Sequence, residues 1–103
     1  MKIITLCGST KFYKEFDNQN RRLTLEGNIV LSIGCVTASD KKLQLSKEIK
    51  QMLDDLHLRK IDLSDEIFVI DICGYIGEST RNEINYAISK RKKVKYFSTY
   101  EFD

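Results

Sequence analysis

Apolar positions along this chain follow two rhythms. Short, nearly unbroken runs occur at residues 2–7 (KIITLC), 28–34 (NIVLSIG), 66–72 (EIFVIDI) and 94–97 (VKYF). Runs of this length, bounded by glycine or polar residues, predict strands. Between them apolar residues recur every three or four positions, the helical period. Phe12, Phe16 and Leu23 share one face of a predicted first helix, which starts at the Gly8-Ser9-Thr10 turn and stops at Gly27. Ile49, Met52, Leu53, Leu56 and Leu63 form the stripe of a second helix over 44–63. Ile84, Ala87 and Ile88 mark the inner face of a third over 79–92. Residues 35–43 read as a loop.

The predicted order is βαβαβαβ. Such alternation implies a parallel sheet with right-handed crossovers and helices on both faces. The uninterrupted IFVI of the third run suits a strand covered on both sides. The expected fold class is α/β, a small flavodoxin-like parallel sheet of about four strands in the order 2-1-3-4. Strands 1 and 3 then flank the topological switch point, where open α/β sheets bind ligands. The Gly8-Ser9-Thr10 turn and the loop over 74–79 would both open on that crevice.

At 103 residues the chain fits one domain, and 42% hydrophobic residues suffice for a modest core. With 17 basic and 15 acidic residues the net charge is +2, which is no footprint for a nucleic acid polymer. The basic run KRKKVK over 90–95 falls at a predicted helix end, where cations complement the dipole. No stretch approaches a membrane span or a signal peptide. Three widely spaced cysteines, Cys7, Cys35 and Cys73, argue against a disulfide framework and for a reducing cytoplasm. Each falls at or just after a strand end, without zinc-site spacing, and reads as a small buried hydrophobe.

The candidate chemistry gathers at the expected crevice. Gly8, Ser9 and Thr10 offer backbone N–H groups and hydroxyls to an anion or a sugar, or cap the helix that follows. The turn lacks Walker spacing, and neither Cys7 nor Cys73 has the arginine of a C-x5-R phosphatase. Thr80-x-x-Glu83 reads either as a capping box or as a carboxylate aimed at the crevice. His57, the single histidine, reads as a packed edge residue or as an acid or base. Asp71, ending the third strand, suits a sugar hydroxyl or a loop cap.

The segments LCGSTKF, DLHLRKIDLSDEIFVI and GESTRNEINYA together resemble the nucleoside 2-deoxyribosyltransferase superfamily, which includes 2'-deoxynucleoside 5'-phosphate N-hydrolases. The resemblance covers nearly the whole chain. It implies a glutamate nucleophile at Glu83, and sugar or phosphate binding by Gly8, Ser9, Thr10 and Lys11 with Gly77 and Ser79 at the amino end of the third helix, beside Asp71 as the candidate for a sugar hydroxyl or a loop cap. Two positions depart from the family pattern. Asn85 stands where the pattern has a second glycine, and His57 stands where it has a proton-handling aspartate.

The implied reaction is cleavage or transfer at the N-glycosidic bond of a nucleoside or nucleotide, without metal or organic cofactor. The carboxylate attacks the anomeric carbon, and a second group, expected to be His57, protonates the departing base from the opposite side. Activity would then fall as pH rises through the histidine pKa. The resemblance also implies a homodimer or higher homo-oligomer whose neighbour closes the pocket; Leu58, opposite the second helix's expected stripe, is the exposed dimer face of the competing interaction-protein reading. The competing readings are a non-catalytic nucleotide-binding or sensing module of the same fold, in which Glu83 is only a cap, and a structural or interaction protein.

Overall fold

The computed structural model describes residues 1–33 and 46–101. The expected loop over 35–43, Cys35 included, lies outside the described residues. Among the described residues four strands and three α-helices follow in the order β1 (Ile3–Gly8), α1 (Tyr13–Leu25), β2 (Ile29–Leu31), α2 (Lys47–Leu63), β3 (Glu66–Ile70), α3 (Glu78–Ser89) and β4 (Lys93–Tyr96). The sheet is all parallel, in the order β2-β1-β3-β4. That is the 2-1-3-4 arrangement expected from the alternation.

The central pair carries the architecture. β1 and β3 are paired from Ile4 with Glu66 through Gly8 with Ile70. Side chains alternate across a strand, so each contributes to two cores. Ile4, Leu6, Phe68 and Ile70 pack with Phe16 and Leu23 of α1 on one face. Cys7, Ile67 and Val69 pack with Ile61 of α2 and Ile84 and Ala87 of α3 on the other. The helices therefore cover both faces, and every residue of β3 is buried. None of the described helices is long and apolar enough to cross a membrane.

Three local expectations are corrected. First, α3 starts earlier and ends earlier than its apolar pattern indicates. Its N-cap is Gly77, so Thr80 lies inside the first turn and the Thr80–Glu83 capping box does not form. Its end is set by Arg91, which takes the left-handed conformation (φ 60°), with Lys92 N donating to Ala87 O at 2.9 Å. This is a Schellman-type stop without glycine, and so without its usual sequence signal.

Second, α2 is rotated relative to its expected stripe. Its buried residues are His57 and Ile61, whereas Ile49, Met52, Leu56 and Leu63 are exposed. Polar anchors fix this rotation. Thr5 Oγ1 donates to Lys60 O at 3.1 Å and hydrogen-bonds the Ser64 hydroxyl, while Lys60 Nζ donates to Ser32 O at 2.8 Å. Leu58, expected on the outside, instead packs half-buried against the α2–α3 core.

Third, Cys73 is not a buried hydrophobe. It is exposed in the short 3₁₀ turn Ile72–Gly74, with φ 54°, and Gly74 follows at φ 76°. Two successive left-handed residues turn the chain sharply off β3.

Gly8 ends β1 at φ 148°, and a Cβ placed there would lie 2.9 Å from Ile70 O. Only glycine permits this approach between the two central strands. Gly8→Ala is expected to lower stability by about 1–3 kcal/mol, read as a lower urea midpoint. A midpoint equal to that of the parent protein would show that the β1–β3 junction relaxes freely.

Candidate functional site

The carboxyl edge of β1 and β3 opens into a cavity of about 490 Å³. One wall is the Gly8-Ser9-Thr10 turn, a second is the start of α3 from Gly77 through Thr80, and a third is α2. Glu83 and His57 also line it. Ser9 additionally caps the 3₁₀ turn Thr10–Phe12, its hydroxyl accepting from Lys11 N at 3.3 Å. Gly8, Ser9, Thr10, Gly77, Ser79, His57 and Glu83 are thus brought together.

Two expected residues stand apart from this lining. The Asp71 carboxylate is buried and accepts from Ser98, from its N–H at 2.8 Å and its hydroxyl at 2.6 Å. It ties the end of β3 to the chain leaving β4, so its polar capacity is spent on structure. Lys11 is not among the cavity residues. Its ammonium lies 3.4 Å over the centre of the Tyr75 ring, a cation–π contact.

Sequence reasoning missed Cys7 as a member of the site. Cys7 shares strand parity with Thr5, so its side chain faces α2 and α3 rather than α1. Its Sγ lies 3.5 Å from His57 Nε2, and that nitrogen lies 3.8 Å from Glu83 Oε1. The Lys50, Asp54 and His57 side chains all line the cavity. Their spacing, four and then three residues apart on one helix, is a signal that a search for polar rather than apolar periodicity would have found.

Burial governs the protonation of this cluster. It pushes the Glu83 carboxyl up from 4.5 to about 7, with the Cys7 hydrogen bond pulling down and the Asp54 charge adding to the rise. It pulls His57 down from 6.5 to about 4, aided by Lys60 and opposed by a hydrogen bond to the Leu6 backbone. The Cys7 thiol is driven up by burial and then by Glu83. At 3.8 Å His57 and Glu83 make no hydrogen bond. Both are neutral between about pH 4 and 7, so their contact is no salt bridge there.

His57 therefore departs from its expected role twice. It is neutral at physiological pH because desolvation disfavours the imidazolium. It is also adjacent to Glu83, whereas an acid for the leaving group belongs across from the nucleophile.

The chain matches no protein-family model, and no curated protein matches it in sequence.

The two shifts act oppositely on stability. Between about pH 4 and 6.5 the unfolded chain binds a proton that folded His57 refuses, so His57 raises stability with pH. Between 4.5 and about 7 folded Glu83 keeps a proton that the unfolded chain has released, so Glu83 lowers stability as pH rises. In the parent protein the two slopes largely offset. Glu83→Gln removes the second, and its urea midpoint is expected to climb from pH 4.5 to 6.5 more steeply than the parent's. Parallel profiles for the two proteins would show that Glu83 carries no burial cost.

Proposed function

We propose that the protein cleaves or transfers the N-glycosidic bond of a nucleoside or nucleotide, with Glu83 as nucleophile. The observation that carries this reading is the position of Glu83. Its carboxyl lines a cavity of nucleoside-compatible size, alongside the Gly8-Ser9-Thr10 turn and the amino end of α3. Those backbone N–H groups and hydroxyls suit a sugar or phosphate. The capping role that competed for Glu83 is absent, because Gly77 is the cap.

Attack requires the carboxylate form. Burial holds His57 at about 4, a weaker base than Glu83 at about 7, so the proton that Glu83 releases passes to solvent rather than to His57. Poor solvation makes the resulting carboxylate more basic and more reactive than an exposed one. The anomeric carbon then bonds to the carboxylate oxygen as the C–N bond breaks, through an oxocarbenium-like transition state, and the base leaves with the bond's electron pair and takes a proton from solvent. Water or a second base breaks the glycosyl ester and restores Glu83. Asp54, on the cavity wall, is available to hydrogen-bond the base.

The reading extends to a homo-oligomer working in the cytoplasm. Ile49, Met52 and Leu56 form an exposed apolar stripe on α2, and Leu56 also lines the cavity. A second copy laid along that stripe would bury it and extend the cavity wall.

The test is incubation with a panel of nucleosides and nucleotides, with chromatography for free base and exchanged product. Glu83→Gln is expected to lose at least ~10³-fold in turnover while still binding substrate. Binding by the parent protein without release of base would make it a sensing module instead.

The pH profile gives a separate reading. Because the reactive form of Glu83 is ionised, kcat/KM is expected to rise through about pH 7 and then level off. A fall across the same interval would instead return His57 to the role of acid.

A further inference from the structure

The geometry points to a metal site beneath the cavity: Cys7, fully buried behind the cavity lining, and His57 and Glu83, which line it, form a binding site for Zn²⁺, with the fourth coordination position on the cavity side. Cys7 Sγ and Glu83 Oε1 approach the same imidazole nitrogen, at 3.5 and 3.8 Å. The three ligand atoms all lie within 4.8 Å of one another. A tetrahedral zinc, with bonds of about 2.3 Å to sulfur and 2.0–2.1 Å to nitrogen and oxygen, needs ligand separations of about 3.3–3.6 Å.

The sulfur–nitrogen pair already has that separation; the nitrogen–oxygen pair, at 3.8 Å, is about half an ångström wider than its ~3.3 Å, and the sulfur–oxygen pair lies within 4.8 Å. The remaining adjustment falls to the carboxylate, which sits on the longest and most adaptable of the three side chains. Cys7 is fixed by the strand and His57 by the buried face of α2.

Charge and donor type select the ion. A thiolate and a carboxylate balance a dication, so the occupied site carries no net charge and leaves no buried charge unpaired. Sulfur and imidazole donors favour zinc over magnesium or calcium, which take oxygen ligands. On binding, the Cys7 S–H bond breaks heterolytically, its electron pair forms the zinc–sulfur bond, and the proton passes to water. A protonated Glu83 loses its proton in the same way, and no redox partner is needed. The linear spacing of these residues matches no zinc motif, because the fold gathers them from β1, α2 and α3. Zinc and glycosyl transfer are mutually exclusive here, since each engages the Glu83 carboxylate.

The experiment titrates Co²⁺ into the metal-free full chain, because cobalt reports thiolate ligation by a near-ultraviolet charge-transfer band. The band is expected to saturate at one ion per chain, to be displaced by Zn²⁺ and to be lost in Cys7→Ser. Cys73→Ser should leave it unchanged. Glu83→Gln should weaken zinc binding at least ~10-fold, which tests the site even if the Cys7 variant does not fold.

Absence of the band, or its survival in folded Cys7→Ser, overturns the site. Unchanged zinc affinity in Glu83→Gln overturns the ligand set. Turnover is read separately with added Zn²⁺ and with EDTA. Inhibition that EDTA reverses agrees with competition for Glu83. A requirement for Zn²⁺ would overturn the nucleophile reading while leaving the metal site in place.

Discussion

Two-sided burial of the β1–β3 pair is the constraint on which the rest of the structure depends. Both strands are sealed between helical layers, so side-chain parity decides which core each residue joins. Leu6 belongs to the α1 side and Cys7, its neighbour, to the α2–α3 side. The parallel register brings both strands to the same edge, where Gly8 faces Ile70. The next turns of chain then have to leave from that edge, and the cavity is the space between them.

The same burial sets the chemistry. Three polar side chains meet at the end of β1, in a layer otherwise built from Ile61, Ile67, Val69, Ile84 and Ala87. A polar group moved from water into such a layer costs free energy unless it is neutral or paired. Between about pH 4 and 7 the cluster stays uncharged: Glu83 and Cys7 keep their protons and His57 declines one. A folded chain tolerates this where function requires it. Anything that draws electron pairs from the cluster, whether an electrophilic carbon or a dication, relieves part of the cost.

Polar anchoring also explains why α2 presents an apolar face outward. Its strongest fixed points are Lys60 and Ser64, tied to Thr5 and Ser32, and the Tyr86 hydroxyl, which donates to Asp62 at 2.7 Å. These contacts turn His57 and Ile61 inward. With those two inside, helical geometry leaves Ile49, Met52 and Leu56 on the opposite flank.

The sequence by itself determined the order of elements, the parallel sheet with its 2-1-3-4 arrangement, and the edge at which the loops gather. Those follow from local periodicity and from the handedness of crossovers, neither of which needs long-range detail. Glu83 and the Gly8-Ser9-Thr10 turn were legible as crevice residues for the same reason. Other features were decided only in three dimensions. The phase of α2 depended on hydrogen bonds to strand and loop atoms that an apolar count does not register. Asp71 was claimed by Ser98, which is 27 residues away. Cys7 entered the site because a strand, a helix crossing one face and another helix's first turns converge on one point. The proton affinities of His57 and Glu83 depend on how much water that convergence excludes, and a linear sequence carries no measure of it.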